Sequence, residues 1–193
     1  MTVWHWVRHG PTHEKTFVGW RDVPADLTDT AQIARLSDHL PTPAIVISSD
    51  LIRASATADV LHHPERERLP HTADLRELHF GVWDGMHFTE VAARDPELSR
   101  AYWETPGDVI PPGGESWNQT AARVNAVVDQ LNAVHPDAHI IAVAHFGVIL
   151  TQVQRAMGAS PTEAMAHKID NLSVTQLSHH KGEWDIGHIN HVP

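Results

Sequence analysis

The stretch VWHWVRHGPT, residues 3–12, decides the fold. Its first five residues, VWHWV, are a short apolar run that reads as a strand. They lead straight into Arg8, His9 and Gly10. Arginine and histidine are costly to bury without partners, so a strand that ends on them needs partners from elsewhere in the chain. Two further places repeat the arrangement. AIVIS (44–48) runs into Ser49-Asp50-Leu51-Ile52-Arg53, and HIIAVA (139–144) runs into His145-Phe146-Gly147. Such continuous apolar runs are the pattern of strands buried on both faces.

Helices fall between these strands. Asp29 and Gln32 stand at capping-box spacing, Ile33, Leu36 and Leu40 recur at helical spacing, and Pro41 and Pro43 end the element. A helix of small residues is expected over 51–62, and a short strand within 69–78. Residues 79–118 are irregular, with short helices near 88–94 and 96–103. Ser116 and Gln119 form a second capping-box pair ahead of an amphipathic helix carrying Val124, Val127, Val128, Leu131 and Val134. FGVILTQVQRAM continues as a helix, and NLSVTQLS with EWDIGHIN, joined by HHKG, reads as a hairpin. The order predicts an α/β fold: a three-layer α/β/α arrangement with a mostly parallel central sheet and helices on both faces. A single domain over 1–193 is expected, with a lid-like insertion at about 79–118.

Composition narrows the chemistry. With 41% hydrophobic residues the chain can build a core, and its net charge of -10 argues against a general nucleic-acid binder. No cysteine is present, which excludes a disulfide scaffold, a zinc ribbon and a cysteine nucleophile. The longest apolar run, around HIIAVAHFGVIL, is too short to span a membrane, and the start carries no basic stretch followed by an apolar one. The expectation is a cytoplasmic protein without membrane or nucleic-acid partners, either a monomer or a homodimer. Histidine is abundant, at 17 residues. Pairs such as His62-His63 and His179-His180 suggest solvated loops and turns, and no organised metal-ligand spacing is present.

In an open parallel sheet the carboxyl ends of the strands lie along one edge, where ligands bind. Arg8, His9, Arg53 and His145 are therefore expected in one crevice. Arg53 falls in the first turn of a helix, where a cation opposes the helix dipole; its place makes sense if it serves an anion that also meets the free N–H groups. Two planar guanidinium forks, two imidazoles and helix N-termini suit a phosphate dianion. One histidine can attack phosphorus and form a phosphohistidine, while the other donates to the equatorial oxygens. A leaving alkoxide needs a proton, and Glu77 in LRELHFGVWDG is the candidate acid. Singly, Arg53 or Glu77 reads as a solvated surface charge; together the motifs fall at three strand ends.

VRHGPT, SSDLIRASATA, LRELHFGVWDG, PPGGES and VAHFGV, spanning residues 7 to 148 in this order, resemble the histidine phosphatase superfamily, the phosphoglycerate mutase-like group. The resemblance implies His9 as the phosphoryl-accepting nucleophile, Arg8, Arg53 and His145 as phosphate binders, Glu77 as proton donor, and no metal or organic cofactor. It also draws in Lys15, where the family often has Asn against the phosphate; Trp20 and Arg21, in a loop that often borders the substrate; and Phe146, where small residues are usual. PPGGES resembles the phosphatase branches, and the short 79–118 segment lacks the basic insertion of the mutases. The expected activity is hydrolysis of a small phosphorylated metabolite. The rival readings are a mutase, a non-catalytic phospho-ligand binder and a metal-dependent hydrolase.

Overall fold

The computed structural model describes residues 1–193. Six strands form one sheet: β1 (Thr2–Arg8), β2 (Ala44–Ser48), β3 (Arg66–Arg68), β4 (His139–Ala144), β5 (Val174–His180) and β6 (Glu183–His191). Their order is β3-β2-β4-β1-β5-β6. The first four run parallel, and β5 and β6 close one edge as an antiparallel hairpin. This is the α/β fold with a mostly parallel sheet that the strand pattern predicts.

Alternation along the strands explains the layers. Trp4 and Trp6 of β1 and Ile140, Ala142 and Ala144 of β4 face one side, against Val124, Val128 and Leu131 of α5 (Trp117–Val134) and Val148 to Val153 of α6 (Phe146–Met157). Val7, Ile141 and Val143 face the other side, against Ile33 and Leu36 of α1 (Thr30–His39) and Ala54 and Ala58 of α2 (Ile52–Val60). Two hydrophobic layers thus sandwich the sheet. Asp29 caps α1 through the Gln32 amide, and Ser116 and Gln119 close a reciprocal capping box on α5. The 79–118 segment carries α3 (Phe88–Arg94) and α4 (Pro96–Glu104).

Three expectations need correction. The strand expected in 69–78 is instead β3 at Arg66–Arg68, followed by a lone bridge from Ser49 to Thr72 and a 3-10 turn at Ala73–Leu75. A three-residue edge strand needs no apolar run, so the pattern there misleads. His179 and His180 end β5 rather than forming a loop, because the hairpin turn is only two residues long. A short helix, α7 (Pro161–Met165), was not anticipated, although Ser160 and Glu163 form a capping box around it.

Candidate active site

Sheet register builds the centre of the site. Arg8 of β1 lies opposite Ala144 of β4, and Ser48 of β2 opposite Val143. The next residues, His9 and His145, therefore emerge side by side. The His9 amide still bonds the Ala144 carbonyl at 3.1 Å, and the two imidazole centroids are 5.2 Å apart. His9 is 5% exposed and His145 fully buried.

His9 is held in one tautomer. Its Nδ1 lies 2.7 Å from the Gly10 carbonyl oxygen, which can only accept, so Nδ1 carries the proton and Nε2 keeps a lone pair. Gly10 is fixed in turn, since its amide donates to Thr57 Oγ1 at 3.0 Å. A side chain there would run into Leu27. Asn171 Nδ2 donates to the His9 carbonyl at 2.9 Å. Burial, with the Arg53 charge adding to it, pushes the His9 pKa down to about 3. The ring is therefore neutral at physiological pH. His145 is held well below the ordinary histidine range by burial and then by Arg53, His9, Arg123 and Arg8. Neither of its ring nitrogens has a hydrogen-bond partner within the protein.

Arg53 is the second residue of α2 and only 1% exposed. Its Nη2 donates to the Gly19 carbonyl at 2.6 Å and its Nη1 to the Arg21 carbonyl at 2.8 Å, while Nε is buried without a partner. Arg8 donates through Nη1 to the Ile169 carbonyl at 2.6 Å, leaving its own buried Nε unpartnered. Its guanidinium carbon lies 5.6 Å from the centroid of the Phe146 ring. Arg53, buried, and Arg8, partly buried, thus each keep a buried Nε–H that no protein oxygen satisfies, beside two imidazoles whose pKa values burial lowers. Such a cluster of unsatisfied donors suits an anion.

Glu77 reaches the same centre from the 3-10 turn. Arg123 of α5 donates to the carbonyls of Asp74, Arg76 and Glu77, and Trp20 Nε1 donates to the Glu77 carbonyl at 2.8 Å. With its backbone pinned, the Glu77 carboxyl accepts from the Leu78 amide at 2.9 Å and, at the start of α6, from the Gly147 amide at 3.0 Å. Burial raises its pKa, against the opposing pull of these amides and of Arg53 and Arg8. A carboxyl whose pKa burial raises, set beside these cations, has the chemistry of an acid.

Arg8, His9, Arg53, Glu77 and His145 are thus brought together. Trp20 is half-buried, stacked on His79 at 4.0 Å and flanked by Arg76 and Arg123. Arg21 is turned into its own loop, where its guanidinium bonds Asp84, Thr16 and the Phe17 carbonyl. Lys15 is exposed on the 10–29 loop, without a hydrogen bond or ion pair. Arg123 and Asn171 lie outside the motifs that carry the family resemblance, while Thr57, Asp84 and Gly147 lie within them without a role of their own having been read. Thr57, four residues after Arg53 on the same helix, carries a spacing signal.

Comparison with known proteins agrees with this geometry. The family model described as histidine phosphatase superfamily (branch 1) matches residues 5–192. A metal-independent phosphoserine phosphatase of Arabidopsis thaliana is 33% identical over 161 residues, covering 78% of this chain and 65% of its own length, so the chain spans just under two thirds of that relative. Phosphoglycerate mutase-like protein 4 of the same plant is 31% identical over 198 residues, covering 96% of this chain and 85% of its own. The solved structure of a mycobacterial glucosyl-3-phosphoglycerate phosphatase complexed with VO3 superposes with a TM-score of 0.86 at 29% identity, over 98% of both chains. With the family pattern running through nearly the whole chain and the fold matching throughout, this protein belongs to the histidine phosphatase superfamily, branch 1.

Proposed function

We propose that the protein is a phosphomonoesterase that works through a phosphohistidine on His9. One observation carries the reading: a neutral imidazole with Nε2 free stands 5.2 Å from a second imidazole and beside the unsatisfied N–H groups of Arg8 and Arg53. The arginines and His145 hold the phosphoryl oxygens. His9 Nε2 attacks phosphorus as the ester P–O bond breaks, and the Glu77 carboxyl hands its proton to the departing alkoxide. Glu77, now a carboxylate, takes a proton from a water that attacks the phosphohistidine. Inorganic phosphate is released, and His9 and Glu77 return to their starting states. None of these steps calls on a metal ion.

The substrate in this reading is a small phosphorylated metabolite, and the 79–118 segment forms its lid. Trp20 and Phe146 supply walls. Hydrolysis is favoured over mutase action because two arginines around Trp20 that a second phosphate would need are engaged, Arg21 with Asp84 and Arg76 with Asp50, which leaves Lys15 as the one unpaired cation of the 10–29 loop. No helix is long and apolar enough to cross a membrane, and the reading takes the cytoplasm as the setting.

Rapid-quench labelling with a 32P-phosphate ester tests the mechanism. An acid-labile label on His9, retained in excess chelator, is the expected result. Label on a serine, or loss of turnover with the chelator, overturns it. A panel of phosphorylated metabolites that includes phosphoserine and glucosyl-3-phosphoglycerate then assigns the substrate, and an isomerised product would establish the mutase instead.

A further inference from the structure

Arg53 rests on a turn that a carboxylate also binds. Its two terminal nitrogens rest on the carbonyls of Gly19 and Arg21, alternate residues of one short turn. That turn is held from the opposite side by Asp84, which follows the 3-10 turn Gly81–Trp83 in the 79–118 segment. One Asp84 oxygen accepts from the Gly19 amide at 3.2 Å and from Arg21 Nε at 2.9 Å; the other accepts from the Arg21 amide at 3.0 Å. The residues whose amides bind Asp84 are thus the residues whose carbonyls bind Arg53.

Packing leaves the turn little freedom. A Cβ on Gly19 would stand 2.6 Å from the Leu78 carbonyl oxygen and 2.9 Å from Phe80. Backbone bonds between Phe17 and the pair Gly85 and Met86 stitch the same loop to the residues after Asp84. One residue beyond the turn, Asp22 accepts the first amide of α2 at 2.7 Å, so the helix bearing Arg53 is tied to this loop as well.

From this geometry we infer that Asp84 is a positioning residue for phosphate binding: it sets the Gly19–Arg21 turn, and through that turn the guanidinium of Arg53. The inference rests on the reading of Arg53 as a phosphate-binding group. Its sign separates it from plain electrostatics. Asp84 is negative and opposes an incoming anion, so if its charge were all that mattered, removing it would tighten phosphate binding. If it positions Arg53, removing it loosens binding despite the gain in net positive charge. Charge-assisted hydrogen bonds to three donors favour the second outcome.

The test is calorimetric titration of the full chain with inorganic phosphate and with orthovanadate. Asp84→Asn keeps the volume but turns an amide group toward N–H donors, and Asp84→Ala removes every acceptor. About tenfold weaker binding is expected for Asp84→Asn, and more for Asp84→Ala. Arg21→Ala, which spares both backbone bonds to Asp84, should lose less than either. Asp84→Glu, which restores a carboxylate, should recover part of the affinity. Kinetically, KM should rise more than kcat falls, since the proton donor is untouched. Unchanged or tighter phosphate binding by Asp84→Asn, with circular dichroism like the parent, overturns the inference. Should Asp84→Ala fail to fold, the Asn and Glu variants decide the matter alone. A parent protein that binds neither anion would instead sink the phosphatase reading, so the two failures are distinct.

Discussion

Replacing Gly147 by alanine isolates the contact between α6 and the proposed proton donor. A Cβ at this position would stand 2.5 Å from Glu77 Oε1 and 2.6 to 2.7 Å from the Leu78 side chain, where ordinary contact begins near 3.4 Å. The Glu77 carboxyl must retreat by about 0.9 Å, which breaks its 3.0 Å bond to the Gly147 amide. Helix propensity alone favours alanine by about 1 kcal/mol. Against that stand about 1–3 kcal/mol for overpacking and about 1–3 kcal/mol for the lost hydrogen bond to a buried carboxyl. Sterics win by about 1–5 kcal/mol, and the melting temperature should fall by about 2–20 °C. The kinetic effect is larger, because an acid displaced by about 1 Å costs on the order of a hundredfold in rate. The loss should fall on alkyl phosphates, whose leaving groups need the proton, and spare aryl phosphates. The Gly147 bond lowers the Glu77 pKa, so losing it raises that pKa further and moves the alkaline limb of the rate profile to higher pH. The assay is kcat against pH for a matched alkyl and aryl ester. Alkyl turnover within about threefold of the parent, with an unmoved alkaline limb, would refute both the contact and the role assigned to Glu77.

Arg53→Lys should weaken phosphate binding by about tenfold or more, because one ammonium cannot rest on the Gly19 and Arg21 carbonyls and still face the anion; equal affinity by calorimetry would show that the planar fork is dispensable. Phosphate binding should take up a proton, since a dianion supplies the opposite charge that the buried, doubly unpartnered His145 lacks; a binding enthalpy independent of buffer ionisation would contradict this. Acid should destabilise the fold through His5, which lies 3.1 Å from His139 and whose pKa is pushed down to about 4 by burial and by His139, His188 and His39. Below about pH 6.5 the unfolded chain binds a proton that folded His5 refuses, so stability is lost between about pH 6.5 and 4, by about 3 kcal/mol in all. The melting temperature of His5→Asn should fall less steeply over that window, and parallel curves would refute the assignment.

What the sequence by itself determined is the layout. Apolar runs of strand length, helical spacing in α1 and α5, and arginines and histidines at three strand ends were enough for a mostly parallel α/β sheet with those side chains gathered along one edge. These features are local: burial on both faces leaves a continuous apolar run, and strand direction alone sends the carboxyl ends to one edge. Only the tertiary structure decided how the site is held. The register of Arg8 against Ala144 set His9 beside His145, and Glu77 is steadied by Arg123, 46 residues away, and by Gly147, 70 residues away. Asp84 meets the Arg21 amide across 63 residues. Such bonds leave no period in the chain, because each joins one side chain to one backbone group that only packing brings near. The polar edge strand β3 stayed hidden for a related reason: with three residues at the sheet margin, it buries too little apolar surface to write a pattern.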